Sequence, residues 1–249
     1  MGKKTVDRDA VDVSKSPRLD PVRFIQDHMR IAPAPGLPEI LLYGAHPASG
    51  LWRLVGRGGE GADPPPYWAY HWAGGTALAR HILDRPEIVA GLRVLDLGAG
   101  SGCVAIAAAK AGAKAVLAAD IDCNAIAAIG LNAAANNVTV SAISGDLTAG
   151  APPAVDLIIV GDLFYERALA GRVTAFLDLC LAAGVKILIG DPYRAYLPLQ
   201  RLRLLAEYAV ADFGDSRDCA VKTSAVFAFE PKDAFSGVAA SQTEMLDRR

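Results

Sequence analysis

The chain has 249 residues, 52% of them hydrophobic, and a formal net charge of −2 at pH 7. This length and apolar content suit one domain with appendages, and the near-neutral charge implies no general affinity for nucleic acid. No apolar run reaches the roughly 20 residues that a membrane-spanning helix needs. The N-terminus fits no secretory signal or transit peptide, and the four cysteines lack metal-binding spacing. We therefore expect a cytoplasmic monomer without a metal site.

The two ends of the chain are predicted to lie outside the main domain. Residues 1–16 are polar and mixed in charge, which predicts disorder, and residues 232–249 resemble a flexible tail. An N-terminal extension over 17–65 has a helical pattern at 17–31, broken by prolines, and a short strand pattern at 40–43. The remaining residues, 66–231, are expected to form the functional domain.

An aromatic tract, YWAYHW (67–72), opens this domain and is followed closely by Gly74 and Gly75. The tract has two interpretations. It anchors the N-terminal extension to the sheet, or Trp72 and the glycines form the wall of a ligand pocket, where glycine lets a ligand approach the backbone. Both interpretations hold if the wall is itself anchored. A helix is predicted immediately afterwards, over 76–83.

The strongest pattern is VLDLGAGSG (94–102), which predicts a strand, a tight glycine turn and then an alanine-rich helix over 103–111. Gly98, Gly100 and Gly102 stand at alternate positions, unlike the dinucleotide fingerprint, and Asp96 precedes them at the strand end. This carboxylate would repel a pyrophosphate but suits a ligand that carries an ammonium and a sulfonium. The pattern resembles motif I of class I S-adenosyl-L-methionine (SAM) methyltransferases. With SAM as cofactor, Trp72 would face the sulfonium as a cation–π partner.

Strand and helix patterns alternate after the glycine turn, which predicts a Rossmann-like, doubly wound α/β fold. Predicted strands cover 115–119, 138–143, 155–160, 185–189 and 223–229, and predicted helices cover 124–136, 167–181 and 197–210. The resemblance to class I methyltransferases implies a seven-stranded sheet in the order 3-2-1-4-5-7-6, with an antiparallel last strand.

The ends of the second and third strands carry further candidate SAM contacts. Asp120 is placed to accept both ribose hydroxyls, whereas Asp122 is predicted to cap the following helix. Asp146 or a neighbouring backbone N–H is placed to bind the adenine, but Gly-Asp is equally typical of a plain turn. The full set of predicted SAM contacts is Trp72, Gly74, Asp96, Gly98, Ala99, Gly100, Asp120, Ile121, Asp146 and Leu147.

Five tracts together resemble the seven-β-strand protein methyltransferases, and most closely the electron transfer flavoprotein β-subunit lysine methyltransferases. Bacterial members of that group are often described as relatives of ribosomal protein L11 methyltransferases. The tracts are PYWAYHWAGG (66–75), VLDLGAGSG (94–102), ADID (119–122), GDLFYE (161–166) and ILIGDPYR (187–194). The resemblance implies SAM-dependent methylation of protein lysines, with the electron transfer flavoprotein β-subunit as the substrate partner. Ala73 stands where the family usually has proline, which leaves that loop freer.

The family's D-x-x-F/Y motif, which bears on the substrate lysine, is matched by Asp162 and Tyr165. The resemblance implies that both are catalytic: Asp162 aims the amine, and Tyr165 with Phe164 walls its channel. The residues alone leave another role for Asp162, as the N-cap of the helix beginning near Glu166. Three other functions stay open: methylation of a different protein such as a ribosomal protein, small-molecule N-methylation, and SAM binding without catalysis. Neither nucleic acid nor a membrane is an expected partner.

Overall fold

The computed structural model describes residues 19–55, 65–210 and 222–232. The predicted disordered tail at 1–16, nearly all of the predicted C-terminal tail and residues 56–64 of the extension lie outside the described residues. The described helices are α1 (Pro21–His28), α2 (Trp52–Val55), α3 (Ala73–Asp84), α4 (Cys103–Lys110), α5 (Cys123–Ala135) and α6 (Arg167–Ala182). The described strands are β1 (Arg30–Ala34), β2 (Leu37–Gly44), β3 (Arg93–Leu97), β4 (Ala115–Asp120), β5 (Ser141–Ser144), β6 (Leu157–Gly161), β7 (Lys186–Asp191), β8 (Leu202–Val210) and β9 (Lys222–Phe229).

The main sheet has seven strands in the order β5-β4-β3-β6-β7-β9-β8, and β1 and β2 form a separate hairpin. Counted from β3, this order is 3-2-1-4-5-7-6, as predicted. The five strands from β3 to β7 are parallel, and β9 is antiparallel to both of its neighbours. The strand order reverses between β3 and β6, and in doubly wound sheets ligands bind beyond the carboxyl ends of the strands at such a point.

Helices cover both faces of the sheet, so its central strands are apolar on both sides. On one face Val94 and Ile159 pack with residues of α3 and α4. On the other face Leu95 and Ile158 pack with residues of α6. Successive strand residues point to opposite faces, so Asp96 lies on the same face as Val94, toward α4. The fold therefore directs this carboxylate at the start of a helix.

The predicted helix at 197–210 is wrong, because most of this segment forms the edge strand β8. A short 3-10 turn covers Leu199–Arg201, and β8 then pairs antiparallel with β9 along its whole length. The register shifts between Leu204 and Ala206, and this bulge interrupts the simple alternation that marks a strand. Leucine, alanine and glutamate favour helices in isolation, but pairing with β9 overrides that preference.

The N-terminal extension packs on the main domain through two asparagines, Asn132 in α5 and Asn136 at its C-cap. Asn132 Oδ1 accepts a hydrogen bond from Tyr43 N (2.8 Å), and Asn136 exchanges two hydrogen bonds with the backbone of Leu41 (3.0 and 2.6 Å). Asn132 Nδ2 also donates to Ser101 O (2.8 Å), in the glycine turn. These contacts join β2 to the turn that was predicted to hold SAM. In the described part of the chain, no helix is long and apolar enough to cross a membrane.

Candidate active site

A cavity of about 420 Å³ lies at the carboxyl ends of β3, β4 and β6, where the strand order reverses. Its volume is within the range of small-molecule sites, roughly 300–1,000 Å³. The predicted site residues that line it are Trp72, Asp96, Gly98, Ala99, Gly100, Asp120, Ile121, Asp146, Leu147, Asp162 and Tyr165. Residues predicted from separate tracts therefore meet in one chamber, with Gly74 the exception.

The glycine turn has the backbone conformation that its sequence requires. Gly98, Gly100 and Gly102 have φ values of 70°, 53° and 78°, in the left-handed region that glycine adopts without strain. A Cβ at Gly98 would lie 2.6 Å from the side chain of Leu163, which packs directly on the turn. The turn is thus held close to the loop that follows β6, and little space separates the two sides of the cavity.

Asp96 is a buried carboxylate whose charge has little compensation from the protein. Its Oδ2 accepts a hydrogen bond from Ala105 N (2.9 Å) near the start of α4. The pKa of Asp96 is raised to about 7, chiefly by burial and also by the charge of Asp120, while the hydrogen bond from Ala105 N opposes the shift. A cation bound beside Asp96 would favour its charged form. The group is therefore suited to a positively charged ligand.

Asp122 caps α5, as predicted, by accepting from Asn124 N (2.8 Å). The ribose contact of Asp120 stays a prediction. Asp120 accepts from Gly100 N (2.8 Å) and Asp122 N (2.9 Å), which fixes its carboxylate at the cavity wall. Burial raises the pKa of Asp120. A fixed carboxylate at this strand end matches the predicted ribose acceptor, and Ile121 beside it is 69% exposed.

Asp146 has the turn role that the sequence left open. Its Oδ1 accepts from Thr148 N (2.9 Å) and Thr148 Oγ1 (2.6 Å), and these bonds lower its pKa. It thereby caps the short 3-10 turn Leu147–Ala149. Both Asp146 and Leu147 also line the cavity, so the adenine contact stays a prediction beside the observed cap.

Asp162 does not cap the helix that follows it. Glu166 caps α6 by accepting from Ala168 N (2.8 Å) and Leu169 N (3.0 Å). Asp162 is buried and has φ = 58°, a strained value for a residue other than glycine. The N-cap interpretation is therefore wrong, and the strained loop turns this carboxylate toward the cavity instead.

Both oxygens of Asp162 have partners from distant segments. Oδ2 accepts from Gly75 N (2.7 Å), at the start of α3, and Oδ1 accepts from Arg194 Nη2 (2.6 Å) and Nε (3.1 Å). Burial raises the pKa of Asp162, whereas the charge and hydrogen bonds of Arg194 lower it. Asp162 thus links the start of α3 to the loop after β7.

The aromatic tract divides between residues that anchor the N-terminal extension and residues that line the cavity, and of the two glycines after it Gly75 lines the cavity whereas Gly74 does not. Trp68 is 2% exposed and packs with Phe24 and Ile25 of α1. Tyr67 lines the cavity with its ring 5.6 Å from Trp72 and 5.6 Å from Tyr165. Three aromatic rings therefore form one continuous wall.

Two residues differ from their predicted places. Phe164 is fully buried in the core against α6, so it is not part of a channel wall. Gly74 is absent from the cavity lining among the described residues. A Cβ there would overlap the Gly190 carbonyl oxygen and lie 2.7 Å from Asp162 Oδ2. Glycine is needed at 74 because α3 touches the end of β7.

Arg194 and Asp191 are site residues that the sequence reasoning missed. Arg194 lines the cavity with its guanidinium carbon 5.6 Å from the centre of the Trp72 ring. Asp191 is fully buried, accepts from Arg194 N (2.6 Å), and has a pKa raised by burial to about 7. The signal was present in ILIGDPYR (187–194), where two charged residues follow a buried strand.

The chamber suits SAM by its charge and volume. Two carboxylates, the buried Asp96 and the partly buried Asp120, line it beside a turn in which every second residue is glycine. Carboxylates in these positions can accept from ribose hydroxyls and stabilise an ammonium or sulfonium. Within the described residues, no group of three His, Cys, Asp or Glu side chains is placed to hold a metal ion.

Comparisons with known proteins agree with this chemistry. The sequence model of the ribosomal protein L11 methyltransferase (PrmA) family matches residues 74–163. The electron transfer flavoprotein beta subunit lysine methyltransferase of Xenopus laevis is 39% identical over 217 residues, covering 85% of this chain and 87% of that protein. The Danio rerio protein of the same name is 36% identical over 220 residues, covering 84% and 83%.

A solved structure supports the fold alone. A candidate RNA methyltransferase from Pyrococcus horikoshii superposes with a TM-score of 0.52 at 15% identity, over 67% of this chain and 89% of that one. The relatives, in contrast, match at 36–39% identity over most of both chains. The chain therefore belongs to the electron transfer flavoprotein beta subunit lysine methyltransferase family, and its cofactor is S-adenosyl-L-methionine.

Proposed function

We propose that this chain methylates lysine side chains of the electron transfer flavoprotein β-subunit. The names of its relatives suggest that substrate. The observation that carries the proposal is the position of Asp162, a buried carboxylate that lines the same chamber as the glycine turn. An acceptor amine aimed by Asp162 would therefore stand in the compartment that holds the methyl donor.

We assign the cofactor contacts as follows. Asp120 holds the ribose hydroxyls, Asp96 faces the positively charged part of SAM, and the backbone of the glycine turn supports its middle. Trp72 lies against the methionine end, and Asp146 with Leu147 borders the adenine. When bound, SAM supplies an electrophilic methyl group, whose transfer breaks the S–C bond and leaves the electron pair on sulfur.

The acceptor side must present a neutral amine, because an ammonium has no lone pair to form the N–C bond. The amine's proton leaves to water before transfer. Asp162 then accepts a hydrogen bond from the amine and aims it, while Tyr67 and Tyr165 flank the alkyl chain. Holding two reactants in line can lower an activation barrier by on the order of 7–11 kcal/mol. Orientation of the amine by Asp162 is therefore proposed to supply a large part of the rate enhancement.

The alternative functions are less well supported. Tyr67 and Tyr165 are 43% and 46% exposed, so the aromatic wall reaches the surface, which favours a side chain entering from a protein over an enclosed small molecule. A scaffold without catalysis has no need of the strained backbone at Asp162, because strain of this kind persists where function uses it. Another protein substrate remains the second candidate, since the L11 methyltransferase family model also matches.

Cellular setting and assembly complete the proposal. We place the enzyme in a reducing cytoplasm as a monomer, without a nucleic-acid or membrane partner. Cys180 is buried in the core and burial raises the pKa of its thiol to about 11, which suits a structural, unreactive cysteine.

Labelling of the purified β-subunit tests the function. The chain is incubated with radiolabelled SAM and the flavoprotein β-subunit of its own organism, and the labelled residues are mapped by mass spectrometry. We expect methyl groups on lysines, and a loss of at least about 100-fold in rate for Asp162→Ala, comparable to removal of a positioning contact. Asp156→Ala, at the other end of the sheet, is the matched control. An unlabelled β-subunit would refute the proposed substrate.

A further inference from the structure

Arg194 occupies a position beside the predicted acceptor site that no motif assigned. Its guanidinium contacts Asp162 Oδ1 through Nη2 (2.6 Å) and Nε (3.1 Å), and its side chain is only 19% exposed. Trp72 lies against the guanidinium at 5.6 Å, and Asp191 accepts from the Arg194 backbone at 2.6 Å. Asp162 and Trp72 therefore fix the guanidinium, while Asp191 fixes the backbone that carries it.

This arrangement bears on a conflict within the proposed function. A carboxylate that aims the amine also favours its protonated form, because an opposite charge within a few ångströms shifts a pKa by about 1–3 units. The protonated amine cannot accept a methyl group. An unpaired Asp162 would thus position the substrate and at the same time hold it in the unreactive state.

We propose that Arg194 is a positioning residue that neutralises Asp162, so that the carboxylate aims the substrate amine without holding it protonated. The inference rests on the proposed lysine methylation. A carboxylate has about four acceptor directions. Arg194 Nη2 and Nε use two of them at Oδ1 and Gly75 N uses one at Oδ2, so the direction left for the substrate amine is at Oδ2.

The other ionisable groups near Asp162 do not supply this charge. Asp191, from β7, carries the same sign, and its pKa is raised by burial and by the charge of Asp162. His71, before α3, lines the cavity, but burial lowers its pKa and favours the neutral ring. Burial raises the pKa of Tyr165, which keeps its hydroxyl neutral at physiological pH. Arg194 is the described cation that acts on Asp162.

Across the chamber, the remaining charged groups have other partners. Asp96 and Asp120 accept hydrogen bonds from the backbone of the glycine turn and α4. Asp146 bonds Thr148, and the charge of Arg172 acts on Asp146. The described structure therefore gives Asp162 and Arg194 as the pair that sets the charge at the acceptor amine.

A rival role for the same geometry is that Arg194 merely fills the substrate's place until a lysine ammonium displaces it. The two roles differ in what a substitution changes. If Arg194 fills the place, Arg194→Gln lowers KM and leaves the pH dependence of kcat unchanged. If it neutralises Asp162, the same variant moves the pH dependence of kcat, which reports ionisations in the bound complex.

The test measures kcat against pH, with saturating SAM and flavoprotein β-subunit, for the wild type and three variants. In each protein kcat should rise with pH as the amine loses its proton, and the midpoint is the pH of the half-maximal kcat. Arg194→Gln should move this midpoint upward by about 1–3 pH units, and Arg194→Lys should keep it near the wild-type value. Asp162→Asn should move the midpoint downward, because Arg194 is then uncompensated beside the amine. Binding of SAM is measured for each variant to establish that the chamber is intact.

Opposite shifts for Arg194→Gln and Asp162→Asn would support the role. Coincident midpoints, or a fall in KM alone, would overturn it while labelling of the β-subunit upholds the proposed function. If Arg194→Gln fails to fold, the direction of the Asp162→Asn shift decides, and an upward or absent shift overturns the role. If the wild type does not label the β-subunit at all, the proposed function fails and this inference fails with it.

Discussion

The two sides of the chamber are built in different ways. On the donor side, Asp96 accepts from Ala105, 9 residues along the chain, and Asp120 accepts from Gly100, 20 residues before it. On the acceptor side, Asp162 is fixed by Gly75 and Arg194, which are 87 and 32 residues away. The donor contacts therefore lie within one strand–helix–strand unit, whereas the acceptor contacts join segments that are farther apart in the chain.

This difference separates what is general from what is particular in the enzyme. A glycine turn with its carboxylates can serve any SAM-dependent reaction, because its contacts with Asp96 and Asp120 lie within one strand–helix–strand unit. The acceptor side depends on how α3, β6 and β7 meet, so its geometry can change with the substrate while the donor side stays the same. Substitutions on the two sides should therefore fail in different ways.

Among the effects on cofactor binding and stability, the largest is expected on the donor side. Asp120→Ala should weaken SAM binding by roughly 10- to 150-fold, since a hydrogen bond to a charged group contributes about 1.5–3 kcal/mol. Isothermal titration with SAM measures the loss. Asp156→Ala is the control, because that carboxylate pairs with Arg93 at the opposite end of the sheet. Equal affinities for Asp120→Ala and the wild type would mean that the ribose lies elsewhere.

The contact between α3 and β7 gives the next largest effect, on folding. Gly74→Ala should lower the unfolding free energy by about 1–3 kcal/mol or more, because the added methyl group has no space beside Gly190 and Asp162. Gly75→Ala is a matched control, since its nearest neighbour, Val104 Cγ2, would be at an ordinary 3.7 Å. Urea unfolding of both variants measures the difference. Equal stabilities would contradict the close approach of these backbones.

The pH dependence of stability tests the buried donor-side carboxylate. Burial raises the pKa of Asp96 from 3.8 to about 7, so the folded protein keeps a proton that the unfolded chain loses. The contribution of protonated Asp96 to the free energy of unfolding is fully present below about pH 4 and is lost as the pH rises through about 7.

Asp96→Asn removes that titration. The unfolding free energy of the variant minus that of the wild type should increase by at least about 1 kcal/mol from pH 5 to pH 8. This lower bound is set below the free energy that corresponds to one pKa unit. Urea unfolding without SAM at both pH values measures this change. A constant difference between the two proteins would show that Asp96 does not titrate in this range.

The smallest expected effect concerns the helix cap next to the acceptor side. Glu166→Ala should cost about 1 kcal/mol of stability, the usual contribution of an N-cap, because Ala168 N and Leu169 N lose their acceptor. Methylation of the β-subunit at 25 °C should be unaffected, in contrast to Asp162→Ala. A loss of activity as large as that of Asp162→Ala would mean that Glu166 belongs to the site.

The sequence predicted the donor side well because its signals are local. Alternating glycines, a carboxylate at a strand end and a helix cap at Asp122 are all patterns of neighbouring residues, and the structure confirms their conformations. The order of the sheet also followed from the family resemblance. The glycine turn and the helix cap depend on the backbone preferences of neighbouring residues, so they can be predicted directly from the sequence.

The acceptor side was predicted only in part. Asp162 was found by resemblance, but its partner Arg194 was not, because 32 residues separate them and no periodic pattern joins them. The edge strand β8 was mistaken for a helix for a related reason, since pairing with β9 decides it. The Asp162–Arg194 ion pair and the pairing of β8 with β9 both join residues that are far apart in the sequence. Patterns of neighbouring residues therefore could not predict them.

A crystal structure with S-adenosyl-L-homocysteine tests the central claim, that one chamber brings the donor to Asp162. We expect the ribose hydroxyls within hydrogen-bond distance of Asp120, and the sulfur facing open space that leads to Asp162 and Tyr165. A ligand whose ribose binds another strand end, or whose sulfur is separated from Asp162 by protein, would contradict the account.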